Sequence, residues 1–311
     1  MTEALELWEK PQAERVVMIA GWRQWADAGS VSSGLPEYLI EQTHARPIGR
    51  IRSDGFFLFQ VPGTHDLVRP VVKFEEGHPT SLEVQRTELY YTGDEQLGVV
   101  IVIGDEPHMD IERYTAAVLE AAKALNVRRI VGLGGVYGEM PYDKERMVSG
   151  TYSLPHIKDE MQRLAVSLSD YHGGASIGSY VCRRAGDAKM EYAGLYAFVP
   201  AYNLGELLAS AEGIRIENDF VAWYGVMRRI NYMLKTRFDL SDLERRSKQV
   251  VQLMASKIAE LDRSMPELGL QDYLDEMSQE FTEVTFSPLG DVWEDALERL
   301  LDDDEEDASA S

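Results

Sequence analysis

The chain has 311 residues, 44% hydrophobic and 27% charged, which is enough apolar sequence to bury a substantial core. Its one cysteine, Cys182, excludes an intrachain disulfide framework, and a formal net charge of −22 repels phosphate backbones and anionic membranes at long range. No apolar run approaches the roughly 20 residues of a membrane-spanning helix, and Met1–Val17 carries acids where a signal peptide needs basic and apolar regions. The expectation is a cytoplasmic protein with no nucleic-acid or membrane partner.

In chain order, the first element is the continuously apolar run Arg15–Gly21, which predicts a strand buried on both faces. Alternating runs at Pro47–Phe59, Val68–Phe74 and Glu88–Thr92 predict antiparallel strands added to the same sheet. A second apolar run, Leu97–Gly104, precedes a helix over Asp110–Leu125 with Ile111, Tyr114, Val118, Ala122 and Leu125 on one face. Asp110 is read as its N-cap and Asn126 as its stop. Strands follow at Arg128–Gly135 and Ala193–Pro200. Beyond Asn203, Phe220, Trp223, Met227, Ile230 and Leu234 recur at helical spacing, and a second helix opens on a capping box, Ser241 to Glu244. Asp302–Asp307 is six consecutive acids, and the last 71 residues hold 20 acids against 6 bases. Such a tail is read as solvated.

Strands alternating with helices predict an α/β fold with a mostly parallel sheet between helical layers. The expected organisation is a core over residues 1–235, a helical C-terminal extension over 236–295 and an acidic tail over 296–311.

Two motifs fail on context. Gly174-Ala-Ser176-Ile-Gly178 has the spelling of a nucleophile elbow, which requires a buried strand directly before it. The residues before it, Ser169 to Gly173, are turn-forming, so the segment reads as a glycine-rich helix start with Ser176 non-catalytic. Gly132–Gly138 follows a strand as a dinucleotide loop would, but Met140-Pro141 stands where a helix must open. The loop Gly104–Asp110 gathers three carboxylates and His108 without zinc-like spacing, and no metal or cofactor is assigned to it.

The loop after the first strand, Gly21–Ser30, is the main candidate site. It holds Trp22, Trp25, Asp27, Gly29 and Ser30 before a helix that either opens near Ser30 or starts later on a Ser33 cap. Together with Glu106, Gly134, Gly135 and Tyr137 it occupies post-strand positions of one sheet, where open α/β folds bind ligands. In this reading Gly29 and Ser30 offer N–H donors to an anion, and Asp27 and Glu106 bind a hydroxyl or a cation. Trp25 or Tyr137 stacks on a ring, and Gly134 and Gly135 let a ligand approach the backbone. A tight strand-to-helix turn with its tryptophans in the core fits the same residues.

An ordered series of segments carries a family resemblance: Trp25–Ser30, Gly104–His108, Val118–Val131, Gly134–Gly138, Val148–Thr151, Gly174–Gly178 and Ala197–Tyr202. Together they resemble the prokaryotic branch of the proteasome assembly chaperone 2 family, over roughly residues 15–235. The resemblance implies a three-layer α/β/α fold similar to purine nucleoside phosphorylases and a homo-oligomer, with a trimer favoured. Together with the helical extension and the lack of an acid–base or nucleophile constellation, it points to a non-catalytic binding or assembly protein, to which the loop positions above add a small-ligand crevice at the strand ends. The alternative is a small-molecule enzyme acting on a nucleoside or phosphorylated substrate, as a phosphorylase or an ATP-dependent ligase of the ATP-grasp kind. No ATP-grasp arrangement of phosphate-gripping lysines stands in the sequence. Aromatic residues near the sheet end, Tyr192, Tyr196, Phe198 and Tyr202, are read as subunit contacts.

Three departures qualify the match. Gly21–Gln24 is an insertion against the family pattern, so the tryptophan that takes the family position is left open. Pro141-Tyr142-Asp143-Lys144 replaces a run that usually holds a histidine and an arginine. The hydrophobic-Tyr-any ending by which proteasome-assembly relatives dock is not how this sequence ends, so docking by that route is not expected.

Overall fold

Side-chain alternation in strand β2 (Arg15–Arg23) sets the layering of the computed structural model, which describes residues 4–59, 69–202, 214–266 and 269–286. Val17 and Ile19 point into one apolar core, and Val16, Met18 and Ala20 into the other. A strand apolar at every position has a buried partner for both faces, which is why no polar alternation is seen. Its neighbours β7 (Leu97–Asp105) and β8 (Val127–Gly138) run parallel to it, and β11 (Glu191–Tyr202) runs parallel to β8.

Antiparallel strands flank this centre. On one side β6 (Thr87–Gly93) pairs with β7, then come β3 (Arg46–Ile51) and β1 (Leu5–Leu7). On the other, β9 (Val148–Tyr152) pairs antiparallel with β11 and parallel with β10 (Ser167–Leu168), while β12 (Ile214–Arg215) pairs with the end of β11. The sheet is therefore mixed, with a parallel centre.

Helices cover both faces. On one lie α2 (Ile111–Ala124) and α4 (Ile177–Asp187), burying Tyr114, Val118 and Ala122, and Ile177, Val181 and Ala185. On the other lie α1 (Gly34–Thr43), the short α3 (Lys158–Arg163) and α5 (Phe220–Leu234). The C-terminal helices α6 (Ser241–Ser264) and α7 (Leu270–Glu280) are present. Their Leu243, Met254, Ile258, Leu270 and Leu274 join the same apolar cluster as Val226 and Ile230 of α5. The α/β architecture holds in three layers. No helix of the described residues is long and apolar enough to cross a membrane.

Several local expectations are corrected. The run near Val68–Phe74 does not extend the main sheet. Its described part, β4 (Val71–Glu75), pairs only with β5 (His78–Glu83) as a separate hairpin exposed along both strands, and Val68 lies outside the described residues. Pro47–Phe59 is a strand only to Ile51, after which the chain turns through Asp54–Phe56, with Gly55 at a φ of 81°. Asp110 occupies the N-cap of α2 in a left-handed conformation (φ 51°), and its carboxylate accepts from Arg113 Nε at 2.6 Å rather than from the helix N–H groups. The Ser241–Glu244 capping box is absent: Asp239 Oδ1 accepts from Ser241 N at 2.9 Å, and Glu244 holds Lys248 instead. Tyr192 and Tyr202, read as subunit contacts, are buried within their own chain. The acidic tail over 296–311 lies outside the described residues.

Candidate functional site

The two tryptophans after the first strand separate. Trp22 is the last buried residue of β2, at 2% exposure, and its indole Nε1 donates to Tyr114 Oη at 2.8 Å. Trp25 stands 60% exposed beyond the strand. Between and after them the chain turns left-handed at Gln24, Ala26, Gly29 and Ser30, with φ of 86°, 55°, 62° and 51°. Three of the four are not glycine, so each carries a steric cost that surrounding bonds must offset.

Those bonds are visible. Gly135 N donates to Ala26 O at 2.7 Å, so the turn is stitched to β8 by a one-residue parallel bridge at Asp27. Asp27 Oδ1 accepts from Ser32 N and Ser33 N, both at 2.9 Å, which holds the turn that leads into α1. Ser33 sits at the N-cap position of α1, and its side chain makes no capping bond. Burial pushes the Asp27 carboxyl above its ordinary range, against the hydrogen bonds from Ser33 and Ser32. Gly29 is buried, and its carbonyl accepts from Trp223 Nε1 at 2.9 Å and Asp219 N at 3.0 Å. Ser30 Oγ donates to Glu217 O at 2.9 Å.

Gly134 and Gly135 lie inside β8, which runs through Gly138. A Cβ on Gly134 would stand 2.2 Å from the Tyr196 ring, and one on Gly135 would stand 2.0 Å from the Ala28 carbonyl oxygen. These glycines admit neighbouring parts of the chain. Tyr137 is half-exposed, with the Arg215 guanidinium 5.3 Å from its ring centre.

Glu106, one residue past β7, reaches across to α4, where its Oε1 accepts from Ile177 N at 2.7 Å. Burial pushes this carboxyl up, opposed by backbone bonds from Ile177 and Trp25. Ser176 is the N-cap of α4, its hydroxyl accepting from Ser179 N at 3.2 Å. His108 Nδ1 accepts from Leu58 N at 3.1 Å, and burial lowers its pKa.

Around these groups opens a cleft of about 610 Å³, walled by Gln24–Trp25, Glu106–His108, Ile111, Gly174–Ile177 and Tyr180. Of the eight residues named from the sequence, Trp25 and Glu106 line it. Asp27, Gly29 and Ser30 are instead turned toward α1 and α5, Gly134 and Gly135 belong to strand packing, and Tyr137 stands half-exposed beside Arg215. The residues missed are His108, Tyr180 and the α4 opening. The Gly174–Gly178 spelling marked a helix start, but nothing in one dimension put that start opposite Glu106. Among the described residues no three His, Cys, Asp or Glu side chains gather as metal ligands would.

A model of the PAC2 family matches residues 22–258. The chain belongs to the PAC2 family. The matched span runs from Trp22 to Ile258, from the end of β2 into α6, and so takes in the whole cleft. PAC2 folds resembling this one have been solved. A Mycobacterium tuberculosis proteasome-assembly chaperone homologue is 22% identical, with a TM-score of 0.67 over 78% of this chain and 96% of its own. A PAC2 family protein of Streptomyces avermitilis is 22% identical, with a TM-score of 0.66 over 79% and 97%. A Pyrococcus furiosus archaeal proteasome activator is 17% identical, with a TM-score of 0.58 over 82% and 99%. No curated protein matches at a significant level. At these identities the likeness is one of fold.

Proposed function

We propose that this PAC2 protein is a non-catalytic, oligomeric binding or assembly protein, with a cleft for a small ligand at the strand ends. The observation that carries this reading is how the polar groups there are used. Asp27 holds the turn before α1 through two backbone N–H groups, Glu106 and Ser176 cap α4, and the His108 ring accepts a backbone N–H. Groups held this way stabilise a surface and are poorly free to exchange protons with a substrate. The shared fold supports a role like that of the proteasome-assembly chaperone homologue and the proteasome activator named above. The partner is then another protein, and the active form is a homo-oligomer, a trimer by preference.

Two measurements test this. Light scattering on the purified chain at micromolar concentration should give a multiple of 35.1 kDa, and a single-chain mass overturns the oligomer. Proteasome α and β subunits from the same source, mixed with and without the protein, should reach the mature particle at different rates on native gels. Identical time courses overturn the assembly role.

A small-molecule reading has one observation of its own. The 610 Å³ cleft falls in the size range of small-ligand sites, and its Trp25 and Tyr180 offer aromatic faces. With a carboxylate rather than a lysine at its floor, it favours a nucleoside or a single phosphate over a polyphosphate. A thermal-shift screen of nucleosides and mononucleotides tests it, and a screen without any stabilising compound removes it.

A further inference from the structure

Three arginines meet at the other end of the sheet, about 25–30 Å from the cleft along β2. Arg15 opens β2, and Arg128 and Arg129 follow Val127 at the start of β8. Consecutive residues of a regular strand face opposite sides. Here the register between β2 and β8 steps from Val16 opposite Val127 to Val17 opposite Arg129, which leaves Arg128 as the extra residue of a β-bulge. A bulge takes a side chain out of the alternation and re-aims it. As a result Arg128 and Arg129 both line one cavity of about 150 Å³, with Arg15, Glu160 and the α5 end at Met233–Leu234.

The three guanidinium groups are not equally engaged. Arg129 is fixed by two carboxylates, with Nη1 to Glu160 Oε1 at 2.6 Å and Nε to Glu191 Oε2 at 2.8 Å. Arg15 makes one long bond, Nη2 to the Lys235 carbonyl at 3.4 Å. Arg128 has no partner among the described residues. The lining carries three positive charges against Glu160, and Glu191 beside it also pairs with Arg129, so three positive charges meet two negative ones and the excess sits on Arg15 and Arg128. The buried apolar walls Val17, Met233 and Leu234 weaken solvent screening of that field.

We propose that this bulge-built pocket binds phosphate. Arg15 and Arg128 supply guanidinium forks that match its oxygens two at a time, and Arg129, held by Glu160 and Glu191, keeps Glu160 in place beside them. Glu160 supplies the selectivity. Its carboxylate repels an anion with no proton but accepts a hydrogen bond from one that keeps an O–H. Inorganic phosphate keeps at least one proton at neutral pH and sulfate keeps none, so the site discriminates between two ions of nearly equal size.

Calorimetric titration of the full chain at pH 7 and low salt, with inorganic phosphate, glycerol phosphate and sulfate, tests this. Phosphate should saturate, and sulfate should bind at least about tenfold more weakly, as expected for one charged hydrogen bond lost. Arg128→Gln and Arg15→Gln should each weaken phosphate by about tenfold or more, and Glu160→Gln should narrow the preference over sulfate. Glycerol phosphate binding as tightly as phosphate would make a phosphate ester the ligand, and weaker binding would make it the free ion. Absence of saturation by about 10 mM, or equal binding of sulfate and phosphate, means an adventitious ion only and overturns the site. So does phosphate binding that survives both arginine variants. Arg128 is exposed and its replacement leaves the core untouched, so folding does not confound that arm. The pocket lies apart from the cleft, and neither result bears on the assembly role.

Discussion

Arg146 and Asp219 form an ion pair sealed from water: Nε lies 2.7 Å from Oδ2, and the two side chains are 1% and 0% exposed. Neither partner is used up by the other. Arg146 Nη1 also donates to the carbonyls of Tyr142 and Lys144, both at 2.9 Å. Asp219 Oδ1 accepts from Val221 N at 3.0 Å and Ala222 N at 3.2 Å, capping α5, while Asp219 N donates to Gly29 O. The pair thus ties the β8–β9 connection, the start of α5 and the turn after β2 into one unit.

Breaking this pair from one side should be costly. Arg146→Met leaves Asp219 as a buried charge, and Asp219→Ala leaves a buried guanidinium and removes a helix cap. Each should cost about 3–5 kcal/mol in urea unfolding. The double variant Arg146→Met with Asp219→Ala should cost less than the sum, since no charge is then stranded. Additive losses would mean the two groups do not sense each other.

Gly29 should tolerate no side chain. Its φ is 62°, and a Cβ would lie 2.8 Å from Asp219 Cβ and 2.9 Å from Val199 Cγ2. A left-handed residue costs about 1–2 kcal/mol before any clash, so Gly29→Ala should lower the melting temperature by several degrees and Gly29→Leu should fail to fold. Such variants therefore report on the fold and not on ligand binding. A Gly29→Ala protein with an unchanged melting temperature would contradict the geometry.

The stability contribution of Glu106 should depend on pH in an unusual direction. Its pKa in the folded chain is raised above its ordinary value of 4.5, so between those two values the folded state holds more protons than the unfolded. Stability from this group is therefore full below pH 4.5 and declines as pH rises through the folded pKa. Glu106→Gln removes the titration, so wild type minus variant should fall from pH 4 toward pH 7 in parallel unfolding curves. A difference that is flat or rising with pH would refute it.

Trp25 should matter to a cleft ligand and little to the fold. It is 60% exposed, so Trp25→Ala should move the melting temperature of the free protein by no more than a degree or two. A cleft ligand at about 100 times its dissociation constant adds about 2.7 kcal/mol, or roughly 5–10 °C for a domain of this size. That rise should shrink in Trp25→Ala, and an undiminished rise would put the ligand elsewhere.

The layered α/β architecture was legible in the sequence because burial on both faces leaves a one-dimensional mark. Arg15–Gly21, Leu97–Gly104, Arg128–Gly135 and Ala193–Pro200 are apolar at nearly every position, and all four became the parallel centre of the sheet. The helix face from Ile111 to Leu125 was equally plain, since a 3.6-residue period needs no partner to be seen. Family membership could be read as well, from short segments in a fixed order.

What the tertiary structure alone decided were the relations between distant residues. Trp22 and Trp25 look alike in sequence, yet the pleat of β2 sends the first to Tyr114, while the left-handed turn at Gln24 and Ala26 leaves the second at the cleft. Glu106 gained its role from an α4 opening 71 residues away, and Asp219 from an arginine 73 residues away. Gly134 and Gly135 looked like a ligand loop, and it took the positions of Tyr196 and Ala28 to make them sites of close packing. Residue patterns record how much of a side chain is buried. They do not record which group buries it, because a contact depends on the path of the chain between its partners, and that path is set by the whole core at once.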